Sequence, residues 1–279
     1  MLNLGLLHFK PTEKSILRKI ALMLYARFEI PYLKLNYLIL KGPLQNRVGR
    51  LLFYPILLVS AGLMLRLGQH GKVMTVNEIN EYIDSLPDDV VIAVGSCRCR
   101  LATKACDCPI KTDITIKTGA LVYKKFFPED YEVISKNKAK KLIAELNRKG
   151  LVPMVYAFCT AGGAFVSFVI CNCCPHSCIP ILAQLNTRFH VYDPGDYVAY
   201  VDETKCIGCG QCVNVCPFNA RIISNSKAKV DYLKCYGCGV CVHHCKGAAT
   251  VMVRRPQELK KAQISRLITF WHFLEFEIS

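Results

Sequence analysis

Cysteine is the residue on which any chemistry in this chain has to rest, with 17 of them among 279 residues. Cys206, Cys209, Cys212 and Cys216 follow the spacing C-x-x-C-x-x-C-x-x-x-C, with Pro217 next, and Cys235, Cys238, Cys241 and Cys245 repeat it. Thiols at every third residue, on a loop loosened by Gly208, Gly210, Gly237 and Gly239, can curl round one iron–sulfur cube and present three thiolates to it; the fourth must come from elsewhere. Paired zinc knuckles share the C-x-x-C unit, but they lack the triple C-x-x-C-x-x-C with a trailing Cys and Pro. Two 4Fe–4S clusters are therefore expected here, and one-electron transfer is the chemistry they carry.

A second set of cysteines lies upstream. Cys97 and Cys99 stand two apart, as do Cys106 and Cys108. In an extended segment residues i and i+2 point the same way, so each pair can offer two thiols to one metal. Cys171, Cys173, Cys174 and Cys178 form a further group, in which Pro175 can open a helical turn that puts Cys174 and Cys178 on one face. These eight thiols suffice for two more cubes, for one cube plus a zinc site, or for one larger cluster. Cys159 is left over and reads as a buried thiol. Arg98 and Arg100 interleave with the first group: they are solvated charges, or, beside a cluster, they favour its reduced form. His176 reads as a helix-start residue rather than a ligand. Gly162 and Gly163 match no phosphate loop.

From Tyr197 to Val253 the chain resembles the two-cluster bacterial-type 4Fe–4S ferredoxin family, on the two cysteine runs just described. An internal repeat supports this: YVAYVDETKCIGCGQC lines up with AKVDYLKCYGCGVC, each half offering a short strand, a cluster loop and a helical turn. In such ferredoxins the last Cys of each run ligates the other cluster. The resemblance thus implies one cube on Cys206, Cys209, Cys212 and Cys245 and a second on Cys235, Cys238, Cys241 and Cys216. One departure is Lys246 where the first run has Pro217, which removes the residue that fixes φ after the last ligand. The chain after residue 70 also resembles a set of 4Fe–4S binding proteins of anaerobes that pair C-x-C-R with a later C-N-C-C ahead of a two-cluster ferredoxin. The matching residues are CRCR from Cys97, the stretch ISKNKAKKLIAELNRKGLV, and ICNCC from Ile170. Here C-D-C-P stands where the commoner form has one Cys.

The elements that must position these thiols divide the chain into four segments, and the fold class is α+β. Residues 1–70 are apolar and basic. Ser15 can cap a helix to about Phe28, with Ile16, Leu17, Ile20, Leu24 and Phe28 as its apolar stripe, and Pro31 ends or kinks it. Residues 51–65 carry no charge; a transmembrane helix needs about twenty such residues, so this stretch reads as a monotopic or re-entrant anchor or a hairpin docked on an apolar partner subunit, with a true span as the lesser alternative. Residues 71–195 form a cysteine-rich α/β segment. Thr75 and Glu78 make a capping box for one helix, VVIAV is a buried strand, and a second helix opens at Ser135 and stops at Gly150. Residues 196–253 are the pseudo-symmetric ferredoxin unit. Residues 254–279 read as a closing interface helix with Ile264, Leu267, Trp271 and Leu274 on one face.

Composition narrows the function. The formal charge is +15, and bound anionic clusters would cancel part of it. A basic surface suits an acidic partner or an anionic membrane, while no helix-turn-helix, finger or stacking module is present to read nucleic acid. No small-residue cleavage site follows a basic, apolar leader, and thiolate-held clusters need a reducing compartment. The sequence also lacks the C-x-x-x-C-x-x-C triplet of radical enzymes, any G-x-G-x-x-G or Walker loop, and any nucleophile motif. The expected protein is an electron-transfer subunit of a larger redox complex, cytoplasmic, peripheral on a membrane or docked to redox partner proteins, and of an anaerobe or a cell with low-oxygen metabolism. The alternatives are an oxidoreductase with a substrate-binding cluster in the middle segment and a zinc-stabilised assembly factor.

Overall fold

The computed structural model describes residues 16–66, 69–160 and 164–267, with side chains left out at 16–23, 25, 58–70, 118 and 157–168. In chain order the elements are helices α1 (Ile16–Lys41) and α2 (Arg47–Arg66), strand β1 (Gln69–Val73), α3 (Val76–Asp84), β2 (Ile92–Ser96), α4 (Arg98–Thr103), β3 (Lys111–Ile116), α5 (Thr118–Phe126) and β4 (Glu132–Val133). Next come α6 (Lys136–Arg148), β5 (Val152–Thr160), β6 (Ala164–Cys173), α7 (Ile179–Thr187) and β7 (Tyr192–Asp193). The last part holds β8 (Tyr197–Val201), α8 (Gln211–Asn214), β9 (Arg221–Ser224), β10 (Lys227–Val230), α9 (Val240–His243), β11 (Thr250–Arg254) and α10 (Gln257–Ile264). The chain makes two compact units. One takes the residues up to Gly71, Pro87–Ala139 and Val155–Cys171; the other takes Lys72–Leu86, Lys140–Met154 and the residues from Asn172 onward.

In the first unit the strand order is β4-β2-β3-β6-β5. The β2–β3, β2–β4 and β3–β6 pairs are antiparallel, with Val94 opposite Ile114 and Ile114 opposite Ile170. Helix α1 runs through Pro31, where a stop or kink is expected from the sequence. Its buried face is Ala26, Glu29, Leu33, Asn36 and Leu40; of the expected apolar stripe, Leu24 and Phe28 are exposed, and the side chains of Ile16, Leu17 and Ile20 lie outside the described residues. The reason is a polar contact inside the unit: the Tyr123 hydroxyl donates to Glu29 at 2.7 Å, and a carboxylate taken from water keeps its face turned to that donor. Ala26 joins Ala93, Ala120, Val122, Tyr123 and Tyr131 in one apolar cluster. Phe28, Leu35 and Leu38 of α1 and Val48, Leu51 and Leu52 of α2 are left more than half exposed. At the start of α6, Ser135 Oγ accepts from Lys138 N, as expected of a cap. Among the described residues no helix is long and apolar enough to cross a membrane.

In the second unit, Thr75 caps α3 and the reciprocal Thr75–Glu78 capping box is formed. Gly150 takes a positive φ just past the end of α6, where residue type requires the stop. The internal repeat becomes a pseudo-symmetric pair of halves. β8, a cluster loop, α8 and β9 form one; β10, a loop, α9 and β11 form the other. β8 pairs antiparallel with β11 and β9 with β10, so each half lends a strand to the other. Helix α10 closes on this unit. Its Gln263 is buried and meets both Arg255 and the Cys235 carbonyl. Leu267 lies past the helix end, and Trp271 and Leu274 fall outside the described residues, as do Ser15, Gly162 and Gly163.

Candidate metal centre

The two cysteine runs are built alike. Asp202 and Asp231 turn the chain so that their carbonyls accept from Cys206 N at 3.1 Å and Cys235 N at 3.0 Å. Gly210 and Gly239, with φ of 73° and 77°, start α8 and α9 and swing the third cysteine inward. The fourth cysteines are also matched: Cys216 Sγ accepts from Ala220 N at 3.3 Å, and Cys245 Sγ from Ala249 N at 3.2 Å. Lys246 in place of a proline does not change the turn. Ala248 N bonds the Cys245 carbonyl as Asn219 N bonds that of Cys216, and both Ala248 and Asn219 take positive φ. The closing hydrogen bond, not the proline ring, sets this geometry.

A small cavity, partly open to solvent, is lined by Cys216, Cys235, Cys238 and Cys241 together, with Ala199 and Met252 of the β8–β11 pair and with Phe218 and Tyr236 beside them. Three thiols come from the second run and one from the first. Apart from Arg221, which lines the same cavity, their environment is apolar. Burial pushes the Cys241 thiol up to about 12 and Cys238 well above its ordinary value, with neighbouring thiols adding to it. Stripped of metal, such sulfurs stay protonated, and binding a cluster would release those protons. The turn after Cys245 lies against the first run in the same way, a Cβ at Gly247 coming within 2.6 Å of the Lys205 carbonyl. Cys206 and Cys212 are buried and Cys209 is exposed, whereas Cys235, Cys238 and Cys241 are all buried. None of the eight is in a disulfide. The donor set, four thiols converging on one cavity, fits an iron–sulfur cluster.

Two polar residues outside the cysteine spacing brace this site. Asn147 of α6, 1% exposed, donates through Nδ2 to the Leu151 carbonyl at 3.0 Å and to that of Cys238 at 3.1 Å. Arg255 donates to the carbonyls of Gly195, Tyr197 and Cys235. Neither belongs to a motif, and only the fold brings them to the loop.

The upstream cysteines fall on both units. In the first, β2 ends at Ser96 and α4 begins at Arg98, so Cys97 is a helix cap and Cys99 is helical; the extended geometry expected for that pair does not occur. Cys106 and Cys108 lie in irregular chain with their sulfurs within 4.8 Å of each other, as expected for a pair facing one way. Cys171 Sγ is 3.8 Å from Asp113 Oδ1, and Tyr131 donates to the other oxygen of that buried carboxyl. Burial pushes Asp113 up to about 6 against the pull of Tyr131 and Arg98. Burial, and after it Cys99, pushes the Cys97 thiol up to about 12.

Arg98 and Arg100 are not solvated. Arg98 stacks 3.9 Å from the centre of the Phe127 ring and pairs with Asp130 at 3.4 Å and Glu29 at 4.0 Å; Arg100 donates to the Pro109 carbonyl and Thr112. Aromatic stacking and ion pairing repay the desolvation of Arg98.

In the second unit Cys173, Cys174 and Cys178 are buried and His176 is exposed. Cys178 N bonds the Cys174 carbonyl at 3.1 Å across a turn, and Cys178 caps α7, so the two thiols are one turn apart as the sequence implies. The Tyr192 hydroxyl is raised well above its ordinary value, chiefly by burial and then by Tyr236, Cys178, Cys173 and Cys238. The side chain of Cys159 lies outside the described residues.

Residues 199–246 match the family model of the 4Fe-4S dicluster domain, and this part of the chain is an iron–sulfur domain of the ferredoxin type. Among curated proteins, one subunit of the ion-translocating oxidoreductase complex of Magnetococcus marinus is 47% identical over 36 residues, 13% of this chain and 20% of that relative. Ferredoxin-2 of Desulfomicrobium norvegicum is 53% identical over 32 residues, 12% of this chain and 54% of its own length. The chain thus spans a fifth of the first relative and about half of the second. No solved structure matches.

Proposed function

We propose that this protein is an electron-transfer subunit of a multi-subunit redox complex. It would carry electrons through two cubes held by crossed ligation, Cys206, Cys209, Cys212 and Cys245 on one and Cys235, Cys238, Cys241 and Cys216 on the second. The observation that carries this reading is the cavity that Cys216 lines together with Cys235, Cys238 and Cys241. Bound 4Fe–4S cubes supply one-electron oxidation and reduction. The chain's own part is to hold them and to set their surroundings. Phe218, Tyr236, Ala199 and Met252 give the second site an apolar lining, and Asn147 fixes the loop at Cys238. Exposed Cys209 makes the first site the port through which a partner is reached.

The middle cysteines extend the path. Tyr192, whose hydroxyl feels the charge of Cys173 and Cys178 as well as that of Cys238, supports a further cluster on the upstream thiols that feeds the second cube. The Magnetococcus relative is by name a component of a complex, and the outward apolar faces of α1 and α2 support a peripheral seat on an apolar partner subunit or a membrane surface.

Replacing Cys216 by Ala in protein purified without oxygen is expected to remove the electron paramagnetic resonance signal that Cys238→Ala also removes, and to leave the signal assigned by Cys209→Ala. If Cys216→Ala and Cys209→Ala remove the same signal, each run holds its own cube and the crossed assignment fails.

A further inference from the structure

Arg221 is the charged residue at the second cysteine pocket that the protein itself leaves unsatisfied. It opens β9, directly after the Ala220 N–H that bonds Cys216 Sγ. Its side chain is 3% exposed and lines the same cavity as Cys216, Cys235, Cys238 and Cys241. Nη2 donates to Thr250 Oγ1 at 2.8 Å, which pins one corner of the guanidinium. Nε and Nη1 are buried and find no acceptor. Among the described residues no carboxylate pairs with it, in contrast to buried Arg98, which has Glu29 and Asp130. A buried guanidinium with two unmade donor groups is costly, and such a group in a folded protein calls for a specific partner. The thiols beside it respond to its charge: Arg221 opposes the burial that raises both Cys241 and Cys216.

We propose that Arg221 is the potential-setting residue of the second cube, its Nε–H and Nη1–H donating to the cluster's sulfur atoms. The inference rests on the crossed ligand set argued above. A fixed positive charge and two N–H donors stabilise the reduced, more negative cluster over the oxidised one and so raise its potential. Arginine suits this better than lysine, because its planar fork keeps both free donors aimed while the third is anchored at Thr250. The first half of the repeat has the arginine and the second does not. Arg221 follows Ala220, whereas the residue that follows the matching Ala249 is Thr250, a neutral hydroxyl. The two cubes would therefore differ in potential, with the second the better electron acceptor.

The test is a potentiometric titration of the full chain, purified without oxygen, followed by electron paramagnetic resonance. With Arg221→Met, the reduction equilibrium of one cube is expected to shift at least tenfold toward the oxidised form, about 59 mV downward for one electron. The other cube should stay within twofold. Arg221→Lys, which keeps the charge and loses the fork, should fall between. Unchanged potentials in a fully loaded Arg221→Met protein would overturn the inference while leaving the two-cube reading in place; a wild type without two cubes would overturn that reading instead. Should Arg221→Met not hold its clusters, wild-type protein grown on ¹⁵N-arginine decides. Pulsed resonance of the reduced second cube is expected to show a nitrogen coupling, and its absence would sink the proposal.

Discussion

At the scale of single residues, the cluster loops are controlled by backbone conformations that side chains rarely enter. Gly237 and Gly210 make the contrast. Gly237 has φ +82°, and a Cβ there would stand 2.1 Å from the Tyr197 carbonyl oxygen; Gly210 has φ +73° with nothing within 4 Å. Both positions favour glycine, but only the first also forbids the atom. Gly210→Ala is expected to cost about 1 kcal/mol, the strain of a left-handed alanine, and to keep full iron. Gly237→Ala should push the second loop off β8 and lose iron from the cube that includes Cys238. Iron and sulfide content of the two variants, measured side by side, checks this; equal loading would mean that the loop moves aside at little cost.

At the scale of elements, the second site depends on helix α6 as much as on its own loop. Asn147, near the C-terminal end of α6, ties the Cys238 carbonyl to the Leu151 carbonyl through one amide nitrogen. Replacing it by Ala would bury both acceptors without that donor, at a cost of about 1–3 kcal/mol. Asn147→Ala should lower the unfolding free energy by that amount, and the second cube should decay faster than the first on exposure to air. If both cubes decay at the wild-type rate, α6 does not brace the loop. Lys246 makes the complementary point. The missing proline after Cys245 is harmless because the Ala248 N–H closes the same turn.

At the scale of the whole molecule, the chain carries more thiols than two cubes use. Two ferredoxin-type cubes and two further ones would bring about sixteen irons, against about eight for the ferredoxin pair alone. Iron, zinc and sulfide analysis of the full chain purified without oxygen is expected to give the higher figure. About eight irons with one or two zincs would assign the upstream thiols to zinc. The same preparation reports on the outward apolar residues of α1 and α2: a dispersed monomer without detergent or partner would remove the docking role proposed for them.

What the sequence by itself determined is local. The two cysteine runs, the glycines between them, the repeat that gives β8–α8–β9 and β10–α9–β11, and the capping box at Thr75 all depend on residues a few positions apart. Their geometry follows from spacing and from allowed φ values. The tertiary structure decided which distant groups meet. It brought Cys216 into the cavity of the second run, and set Asn147 of α6 and Arg255 against that loop. It also left Leu24 and Phe28 of α1 outward, because Glu29 finds Tyr123 inside. Cys97 and Cys99 show the same limit: their spacing fits an extended pair, but β2 stops at Ser96 and Arg98, drawn into the Phe127 stack and its two carboxylates, begins a helix instead. Periodicity records which residues are apolar, whereas a buried charge goes where its partner is, and that partner is set by the fold.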